Sequence, residues 1–198
     1  MRVFVALDLE EETRIRIQRF IEEMQALAPD ARWANPESLH VTLKFIGEKP
    51  EPAVKEIEAM LGRIEGEPVQ LSFRGCGFFP NPKAARVFWV GIESQQLPGL
   101  AKKVDRALAE IGVPPEERAF TPHLTLARAG GGSGAPHRQR GDQANRRFAR
   151  LQEKLANLPA PDFGTMTARE FFLYRSELGR GGSRYTKIAR FSLQSSGQ

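Results

Sequence analysis

The segment His40-Val41-Thr42-Leu43-Lys44-Phe45 returns in outline as His123-Leu124-Thr125-Leu126-Ala127-Arg128. No other feature of the chain restricts its fold so strongly. Side chains of an extended strand alternate between faces, so His40 and Thr42 share one face while Val41, Leu43 and Phe45 turn to the other. His123 and Thr125 share a face in the same way, with Leu124 and Leu126 behind them. A single His-x-Thr in a strand is weak evidence of function. Here, however, the whole chain holds three histidines and two of them sit in near-identical contexts. Two such strands facing one another would bring two imidazoles and two hydroxyls into one compact site.

That set of groups suits acid–base chemistry on a phosphate. Imidazole titrates near pH 6.5, so at neutral pH one ring can be neutral while the other carries a proton. The neutral ring takes a proton from an attacking water or hydroxyl, and the protonated ring gives one to the departing oxygen. Thr42 and Thr125 can donate to the non-bridging oxygens, where charge concentrates during displacement. This arrangement requires no metal and no cofactor.

The rest of the sequence supplies a frame for the two strands. Val3 to Leu9 predicts a buried strand, followed by a helix with acidic residues at its start and Ile17, Phe20, Ile21, Met24 and Leu27 on its apolar stripe. Gly47 ends the first His strand. Pro52 opens a second helix, with Val54, Ile57, Leu61 and Ile64 at helical spacing. Val69, Leu71 and Phe73 alternate with polar residues as a half-buried strand. Gly75 to Pro82 is expected to be a turn, and Val87 to Ile92 a buried strand. Leu100, Val104, Leu108 and Ile111 mark a third helix, and Pro122 opens the second His strand. Gly130 to Gly134 is expected to be a mobile loop. A basic run with His137, Arg138 and Arg140 follows, and a fourth helix starts near Gln143. Two late strands, around Thr167 to Tyr174 and Tyr185 to Leu193, complete the chain. The order reads as an internal duplication, each half carrying one His-x-Thr strand. It predicts an α+β fold: mainly antiparallel sheets with helices on the outside.

These motifs and their flanks resemble the LigT-like RNA 2′,3′-cyclic phosphodiesterases, also called the 2′-5′ RNA ligase family, among the two-histidine phosphoesterases. The likeness spans the start Phe4-Val5-Ala6-Leu7-Asp8-Leu9, Arg32-Trp33, both His-x-Thr strands, and the tail Leu173 to Leu178 with Tyr185. It implies one bilobal domain over residues 1–198 with pseudo-twofold symmetry, the two His strands facing across a central cleft. It also implies metal-independent opening of an RNA 2′,3′-cyclic phosphate to a 2′-phosphate, with reversible 2′-5′ ligation in some members. Carried over, His40 is the general acid and His123 the general base, while Thr42 and Thr125 hold the phosphate; the near-symmetry of the two strands makes the reverse acid–base assignment sterically reasonable as well. Arg128 adds a charge-assisted bond to the phosphate. Strict alternation puts Arg128 on the face opposite His123, so this role requires the strand to bulge first. Lys44, on the His40 face by the same alternation, is expected to be an exposed strand lysine. Trp33 and Phe45 could stack on a base, but core packing is the expectation for both. Tyr185 reaches the cleft or makes a structural hydrogen bond.

Composition narrows the competing readings. An excess of 29 basic over 24 acidic side chains favours anionic partners without proving one. The expected partner is RNA with a cyclic phosphate end, and a monomer is the simplest assembly. Cys76 is the sole cysteine, which excludes an internal disulfide and suits a reducing compartment. The apolar run at the N-terminus is too short for a signal peptide or membrane span, so a cytoplasmic protein is expected. The main alternative is a non-catalytic RNA- or nucleotide-binding module of the same fold. A metal-dependent hydrolase would need a ligand cluster, and no zinc-type spacing is present.

Overall fold

The computed structural model describes residues 1–130, 146–179 and 182–194. The expected glycine-rich loop from Gly131 and the basic run through His137, Arg138 and Arg140 lie outside them. Two antiparallel sheets carry the architecture. The first has the strand order β3-β1-β8-β9, formed by His40–Glu48, Arg2–Asp8, Glu170–Gly179 and Gly182–Ser192. The second has the order β2-β6-β5-β4-β7, formed by Ala31–Trp33, His123–Ala129, Val87–Glu93, Val69–Phe79 and Asp162–Ala168. Among the described residues, four α-helices accompany them: α1 (Glu11–Met24), α2 (Glu51–Leu61), α3 (Leu97–Ala109) and α4 (Ala149–Ala156). This is the expected α+β class.

The helices tie the sheets together. α1 follows β1 of the first sheet, begins with Glu11 and Glu12, and buries Ile17, Ile21 and Met24 at helical spacing. It packs against the second sheet, where Phe20 meets the rings of Phe88 and Phe163. α3 follows β5 of the second sheet and packs against β3 of the first. Its stripe of Leu97, Leu100, Ala101, Val104 and Leu108 is buried, and each fully buried leucine contributes about 1.5–3 kcal/mol. One continuous apolar cluster therefore runs from Val3, Val5 and Leu7 through Val41 to Leu124 and Leu126. The inner faces of both His strands are anchored in it.

α4 begins at Ala149 rather than near Gln143, and the strands depart from the sequence reading in three places. Residues 75–79 are not a turn: β4 runs through to Phe79, made possible by an irregularity at Gly75, whose φ of 68° is in the left-handed region. Three late strands replace the expected two, because β7 ends at Ala168 and β8 begins at Glu170 on the other sheet. Gly164, at φ 87°, breaks the alternation that would have revealed β7. Finally, Ala31–Trp33 forms a short edge strand, β2, where only a connection was expected.

Candidate active site

Both His strands contain an irregularity just after the threonine. In β3, Ala6 pairs with Thr42 but Val5 pairs with Lys44, leaving Leu43 as the extra residue. In β6, Trp89 pairs with Thr125 but Phe88 pairs with Ala127, leaving Leu126 extra. Each insertion turns two consecutive residues toward the core and reverses the alternation beyond it. Leu43 and Lys44 are buried together, as are Leu126 and Ala127. Phe45 consequently returns to the face of His40 and Thr42, and Arg128 returns to the face of His123 and Thr125. The bulge that Arg128 required is present.

Two expectations fall with it. Lys44 is not an exposed lysine on the His40 face; it is 5% exposed, ion-paired with Asp105, and donates to the Pro114 carbonyl at 2.7 Å. Phe45 does not pack in the core but is 61% exposed. Trp33 does as expected: its ring packs edge-on against Phe88, and its Nε1–H donates to the Ala28 carbonyl at 2.9 Å.

The two imidazoles are held in the same way. His40 Nδ1 lies 2.7 Å from the Ser38 carbonyl oxygen, and His123 Nδ1 lies 2.7 Å from that of Thr121. A carbonyl can only accept, so each Nδ1 carries its proton and each Nε2 is left to exchange one. Each ring is also gripped edge-on by an aromatic neighbour, Tyr185 for His40 and Phe79 for His123, both at 5.0 Å between centroids. β3 touches β6 at the junction of the sheets, and the Arg128 charge is close enough to act on His40.

The surroundings of the two rings differ. His40 is packed against Phe4 at 4.8 Å and lies near Tyr174 and Tyr185. Burial lowers its pKa below the ordinary imidazole value and outweighs the Ser38 hydrogen bond and the Asp8 charge, which raise it; Arg128 lowers it further. Asp8 is the direct cross-strand partner of His40. Its carboxylate accepts from Arg14 Nη2 at 2.5 Å and from Lys187, and Arg14 in turn donates to the Pro36 carbonyl at 2.6 Å. This network fixes both the end of β1 and the Pro36–Ser38 turn that leads into His40. Tyr174 keeps its proton, because burial and Asp8 push its phenol well above the usual range.

On the second sheet, Trp89 is the cross-strand partner of Gly77 and lies over it. A Cβ placed at Gly77 would meet the indole at 2.3 Å. Gly77→Ala must therefore displace the ring next to Thr125, an overpacking expected to cost about 1–3 kcal/mol. Urea denaturation read by tryptophan fluorescence would show it, and unchanged stability and spectrum would refute the contact. The indole Nε1 is buried and has no hydrogen-bond partner among the described residues.

A family model for LigT-like phosphoesterases matches the chain twice, over residues 7–89 and 90–185, with one His-x-Thr strand in each match. The chain belongs to the LigT-like phosphoesterase family. An RNA 2′,3′-cyclic phosphodiesterase of Methanothermobacter thermautotrophicus is 33% identical over 196 residues, covering 98% of this chain and 99% of that protein. A crystal structure from Thermus thermophilus superposes with a TM-score of 0.75 at 28% identity and covers both chains completely. Escherichia coli LigT complexed with 3′-AMP gives 0.76 at 27% identity, covering 98% of each chain. The duplicated match agrees with the duplicated strand geometry of this LigT-like chain. Asp8, Phe4, Tyr174, Phe79 and Trp89 were not among the expected site residues. The carboxylate of Asp8 ends the first strand in plain view, but only the β1–β3 register puts it opposite His40.

Proposed function

We propose that this LigT-like phosphoesterase hydrolyses RNA 2′,3′-cyclic phosphate ends to 2′-phosphates by acid–base catalysis between His40 and His123. The observation that carries this reading is the matched pinning of both Nδ1 atoms, which leaves two Nε2 atoms on equivalent strands free to move protons. Curated relatives of this name, similar over nearly the full length, support the substrate class.

In the proposed step His123 Nε2 takes a proton from water, and the water oxygen attacks phosphorus. The bond from phosphorus to the 3′ oxygen breaks, and His40 Nε2–H protonates that oxygen, leaving the phosphate on the 2′ position. One proton enters through His123 and one leaves through His40, so the pair exchanges protonation states and resets through solvent. Thr42, Thr125 and Arg128 donate to the non-bridging oxygens as their charge rises. An RNA 5′-hydroxyl in place of water would give a 2′-5′ linkage by the same movements. Phe45, exposed on the same face, offers a ring for the terminal base, a contact worth about 1–3 kcal/mol. The non-catalytic alternative has no need of two free Nε2 atoms.

The acid assignment of His40 follows the family resemblance; the Asp8 carboxylate favours its imidazolium, though burial outweighs it. Because burial still keeps His40 below about 6.5, the acid loses its proton early as pH rises. The limb of kcat/KM that reports His40 is therefore expected below that pH. Asp8→Asn removes the raising charge and should move this limb to still lower pH, leaving the other limb in place. An unmoved profile would separate Asp8 from His40. The product distinguishes the reaction: a 3′-phosphate would contradict the proposed leaving group.

A further inference from the structure

Arg32 and Arg128 are direct cross-strand partners on β2 and β6. Paired residues of an antiparallel ladder point to the same side, with strands about 4.8 Å apart. Their neighbours Trp33 and Ala127, also paired, face the core, so Arg32 and Arg128 both stand on the open face that carries His123 and Thr125. Both are exposed, and neither forms an ion pair among the described residues. Two like charges placed directly opposite one another destabilise a ladder. Such a pair makes chemical sense when an anion lies between or over them.

Only the bulge at Leu126 creates this pair, because an unbroken β6 would point Arg128 away from it. β2 is the outer strand of its sheet, so Arg32 lies one strand further from the reacting groups than Arg128, whose charge acts on His40. A single cyclic phosphate held by Thr42, Thr125 and Arg128 leaves the second guanidinium without an anion. An RNA chain supplies one, since the phosphodiester on the 5′ side of the terminal nucleoside lies within a nucleotide's reach.

We propose that Arg32 is a second phosphate-binding position, taking the last internal phosphodiester of an RNA chain whose cyclic end occupies the His40–His123 site. The inference rests on the cyclic phosphodiesterase reading and extends it: the site favours RNA ends over free nucleoside 2′,3′-cyclic monophosphates. Arg32 gives binding and selectivity, and touches no reacting atom.

The test compares wild type with Arg32→Ala and Arg32→Lys on three substrates. These are a nucleoside 2′,3′-cyclic monophosphate, a dinucleotide with the same cyclic end, and that dinucleotide with a neutral methylphosphonate linkage. Wild type should prefer the charged dinucleotide by about tenfold in kcat/KM, the scale of one hydrogen bond to a charged group. Arg32→Ala should lose that preference through KM, and the methylphosphonate should remove it from wild type without a further loss in the variant. Arg32→Lys should keep part of it. The salt dependence of log(kcat/KM) on the dinucleotide should flatten by about 0.7 in Arg32→Ala, one phosphate contact on a single strand. Thermal unfolding should show the variant at least as stable as wild type, since a like-charge pair has been relieved. A preference retained by Arg32→Ala, or an equal loss on all three substrates, would overturn the proposal. No turnover of any cyclic phosphate by wild type would overturn the cyclic phosphodiesterase reading and this inference with it.

Discussion

Replacing His40 or His123 by alanine should each lower kcat on a 2′,3′-cyclic phosphate RNA end by about 10²–10⁴-fold, the range for a positioned acid or base. The double substitution should cost little more than the worse single one, because two groups moving protons in one step act as a unit. Neither change should unfold the protein. Both rings are half-buried and lie outside the main apolar cluster, and the apolar anchors Val41, Leu43, Leu124 and Leu126 remain. Binding of an uncleaved RNA should survive, since Thr42, Thr125 and Arg128 are intact. Single-turnover rates beside an equilibrium binding titration would check both statements. Rates within about threefold of wild type in either variant, far short of the range for a positioned acid or base, would refute the two-imidazole step.

The largest stability effect is expected at Asp105, away from the chemistry. The bulge that brings Phe45 to the open face drives Lys44 inward, and a buried ammonium must be paired. Asp105 supplies the charge, and the same carboxylate accepts from the Glu116 amide at 3.0 Å. Burial raises the Asp105 pKa, but the Lys44 and Glu116 hydrogen bonds and the Lys44 charge outweigh it and hold the carboxyl below its ordinary value. Asp105→Ala leaves Lys44 buried with the Pro114 carbonyl as its one remaining partner among the described residues. We expect a loss of about 3 kcal/mol, the lower end for breaking a buried pair, because Asp105 is partly exposed. Lys44→Met with Asp105→Leu should recover most of it, as apolar replacement of both partners often does. The sign of the pH dependence follows from the lowered carboxyl. The contribution is complete above about pH 3.9 and disappears as pH falls through the folded-state value. Urea denaturation at about pH 7 and about pH 3 would measure it, and a change under about 0.5 kcal/mol at neutral pH, the size of an ordinary surface substitution, would contradict the pairing. Glu116 lies in the segment that leads to His123, so the pair also holds one His strand to the other's approach.

What could be read from the sequence follows the periodicity of the residues concerned. The helices α1 to α3 and the apolar sides of both His strands were legible because their stripes are unbroken. The two strands that carry His40, Thr42, His123 and Thr125 were legible because their pattern occurs twice. The bulges hid the rest. A period-two reading continues through Leu43 and Leu126 as though nothing had been inserted, so it assigns Lys44 and Phe45 to the wrong faces. Arg128 escaped that error only because the role expected of it demanded a bulge, and the register shift in β6 supplies one. β7 was missed for a related reason, a left-handed glycine within the strand. Asp8, Trp89 and the Arg32–Arg128 pair depend on which strands are neighbours and in what register. That information belongs to the sheet and to no single segment.

The decisive measurement is wild-type turnover of an RNA oligomer ending in a 2′,3′-cyclic phosphate, with excess chelator present and the position of the product phosphate determined. Two imidazoles acting as acid and base predict undiminished turnover to a 2′-phosphate alone. Activity abolished by the chelator and restored by a divalent cation would contradict that mechanism, and tight RNA binding with no turnover would make the protein a binding module.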